Sequence, residues 1–274
     1  MKSFTGRTRT SLVALAAVAA LAIAAVAQAA GITPPPNIKS AGKIVYCSDI
    51  TYPPEESYAG TKPVGSDIDF GTAIAAQMGV KAEFKNTTFD SIIAALVGKK
   101  CDAIISGMND TPARRKQVDF VDYLKVGQSL MVKAGNPEHI SGLADLAGKK
   151  VSVESGTTNR DFLAAESKKL TKAGKKAINI ATFPKDTDAA SALKAGRVDA
   201  YFGDSPVVLL YASKDKSFAV GGSPVNPIPI GIALRKNDPL TAATQKALKA
   251  LYASGAIKKI VTKWGMTHAV TLLK

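Results

Sequence analysis

The residues with the clearest chemical potential lie together in 101–120, CDAIISGMNDTPARRKQVDF. Residues 102–105 read as a short buried strand, and Ser106-Gly107-Met108-Asn109-Asp110 turns out of it into Thr111-Pro112, an N-cap followed by proline at the first helical position. Arg114 then falls in the first helical turn. A cation there works against the helix dipole, yet it lies beside the unpaired N–H groups of the turn, so an incoming carboxylate could take hydrogen bonds from both. Spacing alone leaves open that Arg114 and Arg115 are a solvated surface pair.

Such a turn must be held by a sheet, and the chain spells one sheet-forming unit twice. Residues 43–48 read as a strand, 67–78 as a helix with Ile68, Phe70, Ala73, Ile74 and Met78 at apolar positions, 80–85 as a strand, 90–97 as a helix and 102–105 as a strand. The order recurs as strand 150–154, helix 158–170, strand 177–183, helix 186–194 and strand 199–202. Even residues repeat: Ala95-Leu96, Lys100 and Asp102-Ala103 parallel Ala192-Leu193, Arg197 and Asp199-Ala200. These βαβαβ units predict two α/β lobes, each a mostly parallel sheet with helices on both faces. Ligands of such sheets sit beyond the carboxyl ends of the strands. That rule lines a cleft between the lobes with Asp49, Tyr52, Phe89, residues 106–114, residues 154–158 and Asp204.

Lys2, Arg7 and Arg9 precede an apolar run over 12–27, and Ala27-Gln28-Ala29 supplies a small-x-small cleavage pattern. Residues 1–29 therefore read as a cleaved signal peptide, with no cysteine following for a lipid anchor. A formal net charge of +14 would suit nucleic acid or an anionic surface. Export argues against nucleic acid, and Lys168, Lys169, Lys172, Lys175 and Lys176, without interleaved aromatics, read as a solvated basic face. The two cysteines, Cys47 and Cys101, are expected to be free buried thiols. Near opposite ends of neighbouring parallel strands they would be offset by several residues, at about 3.3 Å each. His139 and His268 have no metal-ligand spacing and no nucleophile elbow, so no metal, cofactor or catalytic residue is predicted.

Ser106-Gly107-Met108-Asn109-Asp110-Thr111-Pro112-Ala113-Arg114 with Val118-Asp119-Phe120, together with Gly65-Ser66-Asp67-Ile68-Asp69-Phe70 and Ser155-Gly156-Thr157-Thr158, resembles periplasmic polar amino-acid-binding proteins of ABC importers. The likeness extends over 43–264; Ser66 and Glu55-Glu56 depart from it, standing where large apolar residues are usual. It implies a type II two-lobed fold with a two-strand hinge, lobe 1 being 30–125 with 230–274 and lobe 2 being 126–229. Spacing alone does not exclude two tandem domains. It also implies a monomeric periplasmic receptor, not an enzyme, that takes an L-amino acid and hands it to a membrane permease. The alternative on the same fold is a periplasmic dehydratase-like enzyme.

The resemblance assigns ligand contact to Asp49, Tyr52, Phe89, Ser106, Gly107, Met108, Asn109, Arg114, Glu154, Thr157, Thr158 and Asp204. Arg114 and the N–H groups of Gly107, Asn109 and Thr158 would take the α-carboxylate, Asp204 the α-ammonium, and Tyr52 and Phe89 would flank the side chain. Asp49 and Glu154 could meet a cationic side chain, since two carboxylates desolvated together need a cation or donor between them. Equally open is that Asp49 only accepts from nearby backbone amides while Glu154 faces solvent.

Overall fold

The computed structural model describes residues 31–273; the signal-peptide reading, 1–29, lies outside them. Helix α1 (Pro36–Ala41) starts on proline and ends at Gly42 in the left-handed region. Strand β1 (Lys43–Ser48) leads through a loop to the hairpin of β2 (Ser57–Ala59) and β3 (Lys62–Val64). Helix α2 (Ser66–Gln77), β4 (Lys81–Asn86), α3 (Ile92–Val97) and β5 (Ala103–Ile104) complete the first unit. Helix α4 (Pro112–Arg115) is a single turn whose expected cap is present, Thr111 Oγ1 accepting from Arg114 N at 3.2 Å.

Strand β6 (Val118–Lys133) then carries the chain out of the first unit. The second contains β7 (Lys150–Glu154), α5 (Thr158–Lys172), β8 (Asn179–Phe183), α6 (Asp186–Lys194) and β9 (Ala200–Asp204). Helix α7 (Ser205–Lys214) and β10 (Phe218–Val220) follow, before β11 (Val225–Arg235) returns to the first unit. Helices α8 (Leu240–Ala253) and α9 (Ala256–Lys263) pack there, and β12 (Val270–Leu272) pairs with β6. Helix α1, the β2–β3 hairpin, α7, β10 and β12 are additions to the sequence expectation.

The main path of the large sheet runs β4-β1-β5-β11-β6-β9-β7-β8. Its outer thirds are parallel, β4-β1-β5 on one side and β9-β7-β8 on the other, as the two βαβαβ units require. Between them β6 and β11 run antiparallel and belong to both halves. The core divides accordingly. Ile44, Tyr46, Phe70, Ile74 and Tyr123 pack with α8 and α9 residues on one face of the first lobe, and Cys47, Ile92, Leu96 and Ile104 on the other. Leu130, Val151, Val153, Leu163 and Phe202 form a separate cluster in the second lobe. Where the strands cross between lobes, the β6–β11 register shifts between Val225 and Ile228 and takes in Pro227. Proline lacks the N–H a regular ladder needs, so the β6–β11 ladder is interrupted at this crossing.

The cysteine expectation is overturned: Cys47 and Cys101 form a disulfide with Cα atoms 5.7 Å apart. A several-residue offset would require Cys101 to lie at the incoming end of the strand. Strand β5 begins only at Ala103, and Cys47 is registered with Ile104. Before it the chain bends, with Lys99 at φ +57° and Asp102 N donating to Val45 O at 2.7 Å, and the bend carries Cys101 back over the face that Cys47 occupies. Thiol titration of the oxidised, denatured protein should therefore find no free thiol, and two after reduction. With the partners separated by 54 positions in the chain, replacing both by alanine should cost about 4 kcal/mol of unfolding free energy in urea titrations.

Candidate functional site

A small cavity lies between the carboxyl ends of the two parallel strand sets, lined by Asp49, Tyr52, Phe89, Gly107, Asn109, Glu154, Thr157, Asn159 and Asp204. Strand ends deliver most of these groups: Asp49 follows β1, Gly107 and Asn109 follow β5, and Glu154 and Asp204 close β7 and β9. The start of α5 adds Thr157, whose Oγ1 accepts from Arg160 N as the N-cap, and Asn159.

One end of the cavity carries a cation. The Arg114 guanidinium donates to Asn109 O at 2.8 Å and to Gly156 O at 3.2 Å across the cleft, and stacks 5.3 Å from the Phe89 ring centroid. Burial lowers Arg114 to about 10, which leaves it a cation at neutral pH. Thr158 Oγ1 donates to Asn109 Oδ1 at 2.5 Å, joining the lobes beside it. Among the described residues, neither the Asn109 nor the Thr158 N–H has a backbone acceptor, as expected of a turn and a first helical position. The Gly107 N–H does not belong to this set: it donates to Asp67 Oδ2 at 2.7 Å. Gly156 lies at φ +74°, and a Cβ there would stand 2.7 Å from Asp90 Cα, so only glycine lets the lobes approach this closely.

The remaining wall is acidic. Asp204 is 3% exposed, held by Asn159 and Tyr52, with Oδ1 unpartnered. Glu154 is 4% exposed, so the solvent-facing alternative does not hold; its Oε1 is also unpartnered. Asp49 accepts from Phe89 N at 2.8 Å and Thr51 Oγ1 at 2.7 Å, the local capping role left open above. Tyr52 crosses the cleft: its ring packs with Met131, Tyr201 and Val207 of the second lobe, and its hydroxyl accepts from Asp204 N at 3.2 Å.

Further acids lie behind these. Asp67 accepts from Tyr123 OH at 2.7 Å as well as from Gly107, and also bonds Glu56, whose Oε1 accepts from Ser106 Oγ at 2.7 Å. Asp186 accepts from the hydroxyls of Tyr201 and Tyr211. Burial raises Asp67 and Asp204 to about 6, Asp186 to about 7 and Glu154 to about 10, and raises Glu55 and Glu56 well above the carboxylate range.

Of the predicted contact residues, Asp49, Tyr52, Phe89, Gly107, Asn109, Glu154, Thr157 and Asp204 share the cavity, while Arg114 and Thr158 border it through Asn109. Ser106 sits beneath, accepting from Asp49 N at 2.9 Å. Met108 lies in the core cluster with Cys47 and Phe120. Asn159 was missed, although its place just inside the helix that Thr157 caps was a usable signal.

Two α/β lobes, joined by crossing strands and closed over a small polar cavity, define a ligand-capturing binding protein of the type II architecture. The family model for bacterial extracellular solute-binding proteins, family 3, matches residues 44–267. ABC transporter arginine-binding protein 1 of Escherichia coli K12 is 32% identical over 232 residues, 82% of this chain and 91% of its own. An ancestral arginine-binding protein solved with arginine is 38% identical, with a TM-score of 0.75 over 81% of this chain and 98% of its own. The ancestral amino acid-binding protein AncCDT-1, described as a precursor of cyclohexadienyl dehydratase, is 34% identical, with a TM-score of 0.76 over 83% of this chain and 97% of its own. The chain belongs to the extracellular solute-binding proteins of family 3. Among the described residues no helix is long and apolar enough to cross a membrane.

The buried acids fix a sign for pH dependence. Asp67, Asp186, Asp204 and Glu154 hold protons in the folded state above the pH, near 4, at which they lose them when unfolded. The folded state therefore binds more protons in this window, and stability falls as pH rises. Urea unfolding of the ligand-free protein should show stability lower by about 2 kcal/mol or more at pH 8 than at pH 5.5; a rise would mean that these groups ionise freely in the fold.

Proposed function

We propose that this protein captures an L-amino acid, with a cationic side chain favoured, and delivers it to an ABC-type permease. The observation that carries the reading is the pairing, in one cavity, of an anion-binding end with a buried carboxyl across the cleft. Arg114 and the N–H groups of Asn109 and Thr158 would take the α-carboxylate, and Asp204 the α-ammonium. Glu154, with Asp49 beside it, leaves an acidic end for the side chain. Relatives named for arginine binding support the same class.

In this reading the lobes are 30–125 with 230–274 and 126–229, the leader 1–29 is removed on export, and a single copy works as the receptor. Closure follows because the ligand would touch both lobes and so favour the closed state. A dehydratase activity is the second reading: AncCDT-1 is similar, and Glu154 is a buried carboxyl held protonated in the cavity. Product formation from a prephenate-like acid would favour it.

A thermal-shift screen of the twenty amino acids and ornithine should find its largest shift with arginine, lysine or ornithine; a ligand at 100 times its Kd stabilises by about 2.7 kcal/mol. Arg114→Ala should weaken binding of every ligand at least a hundredfold in calorimetry, about 3 kcal/mol or more. Binding within threefold of the parent would place the carboxylate elsewhere.

A further inference from the structure

The cleft gathers more carboxyl groups than cations to balance them. Glu154, Asp204 and Asp49 line the cavity, and Glu55, Glu56, Asp67 and Asp186 are buried around it. Glu154 faces Asp186 at the start of α6, Asp204 at the end of β9, Asp49 beyond β1 and Tyr211 on α7. Asp204 faces Arg114 of α4, Tyr52 and Glu55 of the loop after β1, Asn159 of α5, and Asp186. Asp49 also faces Asp90, Glu56 and the exposed Lys185. Arg114 already donates to two carbonyl oxygens and stacks on Phe89. Among the described residues Glu154 Oε1 and Asp204 Oδ1, both on residues at most 4% exposed, have no hydrogen-bond partner.

Carboxyls this close in a dry site cannot all ionise, so the group as a whole keeps protons. A ligand cation removes that restriction, since an ionised carboxylate beside it is stabilised. We infer that ligand capture is a proton exchange: Glu154 and Asp204 release protons to solvent as a cationic amino acid enters, and the resulting carboxylates hold its side-chain cation and α-ammonium. Charge balances, because each O–H bond broken sends one proton to the buffer and leaves one carboxylate for one ligand cation. The inference rests on the amino-acid reading above and adds its pH regulation.

The raised Glu154, at about 10, and Asp204, at about 6, agree with this and set its range. At neutral pH Glu154 supplies most of the released proton; nearer pH 5.5 both contribute. Affinity must then rise with pH, by about tenfold per unit for each proton released.

The test is calorimetric titration of the oxidised mature protein with L-arginine at matched pH in pairs of buffers whose ionisation heats differ, phosphate and Tris at pH 7 and acetate and MES at pH 5.5. The expected result is a buffer-dependent heat equal to about one proton released at pH 7, more at pH 5.5, and a Kd about tenfold tighter at pH 7 than at pH 6. L-Glutamine, which brings only the ammonium, should release fewer. Glu154→Gln should bind arginine more weakly and lose about one released proton at pH 7; an unchanged count would remove Glu154 from the exchange. Arginine binding with equal heats in both buffers and a pH-independent Kd would overturn the inference while leaving the amino-acid reading intact. Absence of heat or thermal shift with every amino acid would instead overturn that reading.

Discussion

The antiparallel pairing of β6 with β11 is the constraint on which the rest of the structure depends. These strands are shared by both lobes, so β5 attaches to β11 on one side and β9 to β6 on the other. The same pair holds the turn after β5. Asp110 N donates to Pro229 O at 2.9 Å and Gly231 N to Met108 O at 3.0 Å, which leaves the Asn109 main chain directed to the Arg114 side of the turn. The strands that cross between the lobes are therefore continuous with the backbone that fixes the turn carrying Asn109.

Electrostatics reverse between surface and interior. The chain is strongly basic, with net charge +14, while its cleft is dominated by acids whose burial opposes ionisation. Tyrosine hydroxyls take part of the strain: Tyr123 serves Asp67, and Tyr201 and Tyr211 serve Asp186. The departures at Glu55 and Ser66 belong to the same region. Glu55 Oε2 and Ser66 Oγ are buried without partners, where two apolar side chains would have left no polar atom to satisfy. Polar atoms retained at such a cost lie within the acidic field of Asp67, Asp204 and Asp186.

Much of this was legible from sequence because it rests on local rules. Periodicity locates both βαβαβ units, Thr111-Pro112 marks the start of α4, and the strand-end rule gathers Asp49, Glu154 and Asp204. What tertiary structure alone decided were directions and long-range partners. A bend of three residues turned the expected free thiols into the Cys47–Cys101 disulfide. Asp67, reached from another helix, took the Gly107 N–H, and Tyr52 left its own lobe to pack against Tyr201. Met108 turned into the core beside a cavity that admitted Asn159, and Glu154, open to either environment on paper, was buried. Sequence patterns record which face of a strand or helix is apolar, because that repeats every two or 3.6 residues; where a turn aims one side chain depends on contacts between segments far apart in the chain, which no local period encodes.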